Sequence, residues 1–255
     1  MTQKSGTDLF WNQRALTETD PLKVNIADDV QRQLETAFIM AHLPPGARVL
    51  EVGAGNGHLT QTLRQRAGFV DAFDYAENMV QQAKQLHQET NNRFFHDSVL
   101  EPKAVQPPYD AVVCVRVLIN LRNLEEQQRA FDNMSALVKP GGRLILVEGF
   151  SDGFERLNQV RQGAGMAPLR PASINFYSPL APWLERFTRG FRIDATFNTG
   201  TFDFLTRVVY PALVGPDQAT GPSEFHERIS ALARSFDPEP LKIVARLHGF
   251  VLVRT

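Results

Sequence analysis

Residues 49–59 read Val-Leu-Glu-Val-Gly-Ala-Gly-Asn-Gly-His-Leu, an apolar run that ends in an acid, followed by three alternate glycines. An amphipathic segment comes next, so the pattern predicts a buried strand, a tight turn and a helix. Glycines let a turn adopt positive φ, and they leave bare backbone against which a ligand can lie. The N-terminus of the helix behind the turn favours an anionic group. We therefore expect a small polar cofactor at this turn.

The glycine spacing argues against two common nucleotide-binding motifs. A dinucleotide fingerprint, Gly-x-Gly-x-x-Gly, would place its third glycine at position 58, which is His58, whereas Gly57 comes one residue early. A P-loop would end in Gly-Lys-Ser or Gly-Lys-Thr, which this turn does not. The turn therefore disfavours NAD, FAD and nucleoside triphosphates.

Two later segments predict strands that end in acids, residues 69–75 at Asp74 and residues 93–99 at Asp97. In α/β nucleoside sites, an acid at the end of the second strand accepts hydrogen bonds from ribose hydroxyls. Asp74 could serve that role or could cap the following helix. Asp71 is a rival that would point to the opposite face of the strand. Asp97 could contact a ligand or form a loop turn.

The run from residue 109 to 121 is continuously apolar at its centre, as suits a central parallel strand buried on both faces. A helical stretch follows, and Pro140-Gly141-Gly142 then closes it before a fifth strand that ends at Glu148. Strands and helices alternate up to this point. Such alternation predicts a parallel sheet with helices on both faces.

Taken together, residues 45–150 resemble the class I S-adenosylmethionine-dependent methyltransferases. Motif I of that family is an apolar run, an acid and Gly-x-Gly-x-Gly, and its later Leu-x-Pro-Gly-Gly turn is matched from Leu137 to Gly142 with one extra residue. The resemblance implies a Rossmann-like, seven-stranded, mostly parallel sheet in which strand seven is antiparallel and lies between strands five and six. It also implies an N-terminal helical lid (1–43) and a methyltransferase domain (44–255) with acceptor-site inserts around 149–178 and 199–223.

Outside those motifs, the pattern predicts helices at 27–43, 178–188 and 224–235 and a strand at 191–198. Residues 149–178 contain several glycines and prolines and are expected to be irregular. Residues 241–255 offer one or two strands, of which 250–253 is the best candidate.

The resemblance implies S-adenosylmethionine as cofactor and S-adenosylhomocysteine as product. Glu51 would hold the methionine end above the glycine backbone, Asp74 the ribose, and Asp97 the adenine amino group, with the next backbone N–H reaching the ring. The expected cofactor-binding residues are Glu51, Gly53, Ala54, Gly55, Asn56, Gly57, Asp74, Tyr75, Met79, Asp97, Ser98, Val99 and Arg116.

The acceptor is expected beyond the carboxyl ends of strands four and five, where open α/β sheets bind ligands. The candidate substrate-binding residues are Trp11, Asn120, Glu148, Asp152 and Tyr177, and the candidate catalytic residues are Asn120, Arg116 and Tyr177. Many relatives carry a histidine near the position of Asn120, but asparagine takes no proton at neutral pH, so a general base is not evident. Trp11 belongs to a lid-like Phe-Trp-x-x-Arg-Ala segment that could instead staple a helix to the core. His58 could face the site or lie on a helix surface, and Tyr177 could be a packing aromatic.

Composition and net charge restrict the kinds of binding partner that the sequence predicts. The 255 residues carry a net charge of −1, so no basic balance points to nucleic acid. One cysteine, Cys114, excludes an internal disulfide and is expected in the core. The six histidines are dispersed, so no metal is expected. Without an apolar leader or membrane-length run, we expect a cytoplasmic monomer or homodimer with no membrane partner.

The sequence thus predicts an enzyme that transfers a methyl group to an oxygen or nitrogen of a small molecule, such as a sugar, a polysaccharide precursor or a secondary metabolite. A macromolecular acceptor is an alternative within the same fold. Two alternatives from other classes are a nicotinamide-dependent oxidoreductase and a non-catalytic S-adenosylmethionine-binding regulatory module.

Overall fold

The computed structural model describes residues 6–18, 20–21, 23–24, 28–219, 223–235 and 239–255. Its sheet has seven strands in the order 3-2-1-4-5-7-6. The strands are β1 (Arg48–Val52), β2 (Phe69–Asp74), β3 (Asn92–His96), β4 (Tyr109–Val115), β5 (Val138–Gly149), β6 (Phe191–Asn198) and β7 (Leu247–Arg254). Strand β7 pairs antiparallel with both β5 and β6, and the remaining pairs in the sheet are parallel. The predicted topology is therefore confirmed.

Helices cover both faces of the sheet. They are α1 (Gly6–Thr17), α2 (Asp29–His42), α3 (His58–Leu63), α4 (Glu77–His87), α5 (Leu124–Leu137), α6 (Ser151–Gly163), α7 (Ala181–Phe187), α8 (Gly200–Phe204), α9 (Tyr210–Val214) and α10 (Glu224–Ser235). Short 3₁₀ turns span Leu118–Asn120 and Glu239–Val244, and a π turn at Leu205–Val209 joins α8 to α9.

Most predicted elements occur where expected, and one prediction is wrong. Strand β6 and helix α10 have the predicted bounds, and α2 begins at Asp29, two residues after Ala27, which lies outside the described residues. The predicted irregular segment 149–178 instead opens with the 13-residue helix α6. Residues 241–244 belong to a 3₁₀ turn, so the chain's last stretch forms one strand.

The sheet separates two apolar clusters. Val112 and Cys114 of β4 face one cluster, whereas Ala111 and Val113 face the other, as the two-residue period of a strand requires. All four side chains are fully buried. Strand β4 is therefore the central strand that its apolar run predicts, and Cys114 is a core residue.

A buried carboxyl group fixes the chain where it leaves β4. Arg116 adopts a φ of 54°, which is uncommon for a residue other than glycine. Glu148 at the end of β5 accepts hydrogen bonds from the N–H groups of Val117 (2.6 Å) and Leu118 (2.8 Å), both at Oε1, and from Ile119 (3.4 Å) at Oε2. Burial raises the pKa of Glu148 to about 7, although these hydrogen bonds lower it. Glu148 therefore holds the turn at 116–120.

The close approach of α6 to the chain before β7 provides a stability test. A Cβ added to Gly153 would lie 1.8 Å from the backbone oxygen of Ala245, whereas one added to Gly163 in the same helix would meet nothing within 4 Å. We expect Gly153→Ala to lower the free energy of unfolding by roughly 2 kcal/mol or more, because backbone must shift. Gly163→Ala should be neutral or stabilising by up to about 1 kcal/mol. Urea denaturation of both variants measures this, and equal effects would contradict the proposed packing.

The hydrogen bonds that Glu148 accepts from the turn at 116–120 provide a second test. Glu148→Leu leaves the N–H groups of residues 117–119 without their acceptor, and each unsatisfied buried donor costs about 1–3 kcal/mol, so we expect a loss of about 3 kcal/mol or more in unfolding free energy. Glu148→Gln keeps one amide oxygen for the two shorter bonds and should cost roughly 1 kcal/mol. If denaturant unfolding finds the two variants equally unstable, the acceptor oxygens are not what holds the turn.

Candidate functional site

A cavity of about 710 Å³ opens at the carboxyl ends of the parallel strands. Its wall includes the glycine turn after β1, the ends of β2 and β4, helices α1 and α2, and part of the segment between α6 and α7. Parallel strands bring their carboxyl ends to the same edge, which is why side chains that are distant in sequence meet here.

The glycine turn needs glycine for close packing as well as for backbone conformation. Gly53, Gly55 and Gly57 have φ values of 70°, 56° and 83°. A Cβ on Gly53 would lie 2.3 Å from Cγ2 of Val117, and one on Gly57 would lie 2.7 Å from Cζ of Phe94. The turn after β1 thus packs directly on the turn that Glu148 holds.

Glu51 is a buried acid in the cavity wall. Its Oε2 accepts a 2.5 Å hydrogen bond from the hydroxyl of Thr60 on α3. Burial raises its pKa to about 8, the Thr60 bond lowers it, and nearby Asp74 raises it further. The carboxyl group is therefore mostly protonated at neutral pH, and a cation placed beside it would favour the ionised form.

Asp74 lies at the end of β2, lines the cavity and is 8% exposed. Its Oδ2 accepts from the Gly55 N–H (2.9 Å) and its Oδ1 from the Ala76 N–H (2.8 Å), so it ties the glycine turn to the start of α4. Burial raises its pKa, and these backbone bonds lower it. The rival Asp71 does not reach the cavity, because its carboxylate binds Tyr109 (2.9 Å) and Arg93 (2.8 Å).

Tyr75 follows Asp74 and lines the cavity. Its hydroxyl oxygen is buried and has no hydrogen-bond partner within the described parts of the chain. Burial raises the pKa of the phenol, so it remains a neutral donor. Buried polar groups are almost always paired, so this hydroxyl indicates a ligand group or water that completes the site.

Several predicted cofactor residues do not reach the cavity. Asp97 accepts from the N–H groups of Lys103 (3.0 Å) and Ala104 (2.7 Å) and so holds its own loop, which is the turn alternative that the sequence left open. Asn56 donates to the Pro21 carbonyl (2.7 Å), and Val99 belongs to the apolar core. The lining excludes Asn56, Gly57, Asp97 and Val99, whereas it includes Glu51, Gly53, Ala54, Gly55, Asp74, Tyr75, Met79, Ser98 and Arg116.

Helix α1, part of the segment predicted to be a lid, contributes Thr7, Phe10, Trp11 and Arg14 to the cavity wall. The indole N–H of Trp11 donates to Oδ1 of Asn120 (3.2 Å), and Nδ2 of Asn120 donates to the Arg116 carbonyl (2.7 Å). Trp11 also packs on the small cluster that contains Met79, so it staples α1 as well as lining the cavity. The packing that the second alternative predicts is therefore present, and the lid stays a prediction.

Three predicted acceptor residues have structural positions instead. Glu148 faces the backbone of the clamped turn, and Asp152 accepts from the Leu180 N–H (2.7 Å). The ring of Tyr177 stacks on Phe154 at 5.3 Å and packs against Gly149, where a Cβ would lie 2.3 Å from the ring. Tyr177 is thus a packing aromatic, and the insert instead contributes Ala172, Ile174 and Asn175 to the cavity.

Helix α2 supplies a polar wall that the sequence analysis missed. Glu35 is 2% exposed, accepts from Nε2 of Gln31 (2.9 Å) and pairs with Nε of Arg116 (3.4 Å). An acid in the middle of an apolar helix face, four residues after a glutamine, was the available signal. His58 also lines the cavity, and burial and then Arg32 lower its pKa.

Within the described residues, no group of three histidine, cysteine, aspartate or glutamate side chains is arranged to hold a metal ion. Among the helices that the structure describes, none is both long enough and apolar enough to cross a bilayer.

Residues 49–142 match the family model of a methyltransferase domain. A ubiquinone/menaquinone biosynthesis C-methyltransferase of Methylococcus capsulatus is 30% identical over 123 residues, which cover 44% of this chain and 47% of that protein. A ubiquinone biosynthesis O-methyltransferase of Xylella fastidiosa is 32% identical over 113 residues, which cover 43% of this chain and 45% of that protein. The match thus spans about half the length of these curated relatives.

The fold is similar along nearly the whole chain to that of the N-methyltransferase NodS of Bradyrhizobium japonicum, solved with S-adenosylhomocysteine. The TM-score is 0.62 at 15% identity, over 98% of this chain and 99% of that one. Magnesium protoporphyrin IX methyltransferase of Synechocystis gives 0.59 at 19% identity, over 98% and 95%. Residues 49–142 are therefore a methyltransferase domain, and with the strand order and the glycine turn beside Glu51 and Asp74 the chain is similar in fold to S-adenosylmethionine-dependent methyltransferases.

Proposed function

We propose that this protein transfers a methyl group from S-adenosylmethionine to an oxygen or nitrogen atom of a small molecule. The observation that carries the proposal is the single cavity in which Glu51, the glycine turn and Asp74 adjoin the lid residue Trp11 and the turn at 116–120. Its volume of about 710 Å³ suits a cofactor together with a small acceptor. Sugars, polysaccharide precursors and secondary metabolites are the acceptor classes that the sequence suggests.

The residues present fit the cofactor. Glu51, buried with one hydroxyl partner, is suited to an ammonium group, which would ionise it. Asp74 retains acceptor capacity beyond its two backbone bonds, as ribose hydroxyls require. The unpartnered hydroxyl of Tyr75 offers a further donor to the same ligand.

When bound, S-adenosylmethionine supplies a methyl group on a positively charged sulfur, which an acceptor lone pair can displace in line. The chain's own contribution is alignment and exclusion of water. Trp11 and Asn120 are joined by a hydrogen bond and both line the cavity, so α1 would cover bound ligands as a lid. Both ends of the Asn120 amide are engaged, so Asn120 positions Trp11, whereas His58 is a cavity group able to accept a proton from the acceptor.

The similarity to C-, O- and N-methyltransferases supports methyl transfer and leaves the acceptor atom to experiment. A nicotinamide-dependent oxidoreductase would require NAD to bind in preference to the sulfur cofactors. A regulatory module would bind S-adenosylmethionine without turnover of any acceptor.

Calorimetry with S-adenosylhomocysteine and with NAD tests the cofactor assignment, and we expect binding of the former only. Asp74→Asn should weaken that binding by about 1.5–3 kcal/mol, because charge-assisted hydrogen bonds are lost. Asp71→Asn is the matched control, since it removes a buried acid from the same strand outside the cavity and should change affinity by less than about 0.5 kcal/mol. Tighter binding of NAD would reject the proposal, and an unaffected Asp74→Asn variant would reject the ribose assignment.

The raised pKa of Glu51 predicts proton release when the cofactor binds. Without ligand the carboxyl group is protonated below about pH 8, and an adjacent ammonium lowers that pKa. Binding of S-adenosylhomocysteine at pH 7 should therefore release up to about one proton, and affinity should rise as pH increases toward 8. Calorimetry in buffers of different ionisation enthalpy measures the release.

Two controls isolate Glu51. The Glu51→Gln variant should release fewer protons than the wild type, and 5′-methylthioadenosine, which lacks the ammonium group, should release none from Glu51. Equal proton release by wild type and Glu51→Gln would show that Glu51 does not contact the ammonium.

A further inference from the structure

Arg116 carries donors that the protein does not use. Its side-chain Nε lies 3.4 Å from Oε2 of Glu35, yet this buried nitrogen makes no hydrogen bond to any described residue. Its backbone N–H and carbonyl are both engaged, with Val147 (2.8 Å) and Asn120 (2.7 Å). The turn that Glu148 holds therefore fixes where the side chain enters the cavity. Nε faces Glu35, whereas the two terminal nitrogens, which carry four N–H donors, make no hydrogen bond to any described residue.

The other three arginines that line the cavity already make hydrogen bonds or ion pairs within the protein. Arg14 donates to the Val24 carbonyl (2.8 Å), Arg32 pairs with Asp29, and Arg122 binds Glu126 (2.8 Å). The contact between Glu35 and Nε of Arg116 lacks hydrogen-bond geometry, so Glu35 leaves this guanidinium group without a hydrogen bond among the described residues. Arg116 is therefore the arginine of this cavity best able to bind an anion.

Apolar and aromatic side chains line the same cavity as Arg116. Trp11 is joined to the Arg116 carbonyl through Asn120, and Ile39, Ile119 and Ile174 line the same cavity. A flat apolar body suits such walls, and a guanidinium group recognises a carboxylate through two parallel N–H···O bonds.

We propose that the methyl acceptor is a flat apolar molecule bearing a carboxylate, and that Arg116 binds this carboxylate as the specificity-determining contact. The inference rests on the proposed function and specifies its acceptor. It makes Arg116 a substrate-binding residue that the strained turn at φ 54° holds in place.

The test compares two probes of nearly the same shape, the anionic naphthalene-2-carboxylate and the neutral naphthalene-2-carboxamide, titrated into protein saturated with S-adenosylhomocysteine. Ligand-observed NMR or calorimetry should show the acid binding at least about tenfold more tightly. Arg116→Gln should abolish that preference, and Arg116→Lys should retain part of it. Arg156→Gln, which removes an exposed arginine of α6 whose guanidinium binds Gln159 (2.8 Å), should retain it fully. Equal binding of the two probes to wild type, or a preference that persists in Arg116→Gln, overturns the proposal.

A second comparison separates the acceptor from the cofactor, which has a carboxylate of its own. If Arg116→Gln weakens S-adenosylhomocysteine tenfold but leaves 5′-methylthioadenosine unchanged, Arg116 binds the cofactor carboxylate and the proposal is wrong. Unchanged affinity for both ligands supports it. Wild type that binds S-adenosylhomocysteine but does not prefer the acid overturns this inference alone, whereas a failure to bind S-adenosylhomocysteine overturns the proposed function as well.

Discussion

One buried carboxyl group, that of Glu148, organises the end of the sheet on which the site depends. It gathers three backbone N–H groups of the turn after β4, and the same turn presses Val117 against Gly53 of the glycine turn after β1. The unusual backbone of Arg116 is tolerated because these contacts over-determine it. This turn positions Asn120, the Trp11 indole and the Arg116 side chain. It therefore supports both the proposed cofactor-binding side and the proposed acceptor-binding side of the cavity.

Three buried acids lie at the same edge of the sheet, and burial disfavours their ionised forms. Burial raises the pKa values of Glu51, Asp74 and Glu148 together. Glu148 offsets that cost by accepting hydrogen bonds from three backbone N–H groups. Among the described residues, Glu51 has one hydroxyl partner, and the hydroxyl of Tyr75 has no hydrogen-bond partner. A site whose polar groups are less satisfied than the rest of the core is complementary to a polar, partly cationic ligand. This contrast between a satisfied supporting acid and an unsatisfied cavity acid separates the structural role of Glu148 from the binding role proposed for Glu51.

The sequence predicted the sheet well because each strand carries its own local signal. Strands β1, β2 and β4 are apolar runs bounded by turn residues, and β6 has the predicted bounds. The wrong prediction at 149–178 arose because the glycines of this segment were taken as helix breakers. Gly153 is instead the point at which helix α6 contacts the backbone of Ala245. Asp97 had the right position along the chain, but its carboxylate faces its own loop, and a sequence pattern does not fix that orientation.

The two halves of the cavity differ in how far sequence can identify them. The cofactor half lies on consecutive segments after β1, β2 and β3, so its spacing is visible in the chain, and Glu51, Asp74 and Tyr75 were all predicted. The acceptor half is assembled from α1, α2, the clamped turn and residues 172–175, which meet only in three dimensions. The sequence analysis therefore missed Glu35. It also selected Tyr177 as a site residue, although the nearest residue of that segment that lines the cavity is Asn175, two positions earlier. In-line methyl transfer demands alignment more than covalent help, so no fixed set of catalytic side chains is expected in the acceptor half. Under the proposed function, Arg116, Glu35 and the apolar residues of the cavity would select the acceptor.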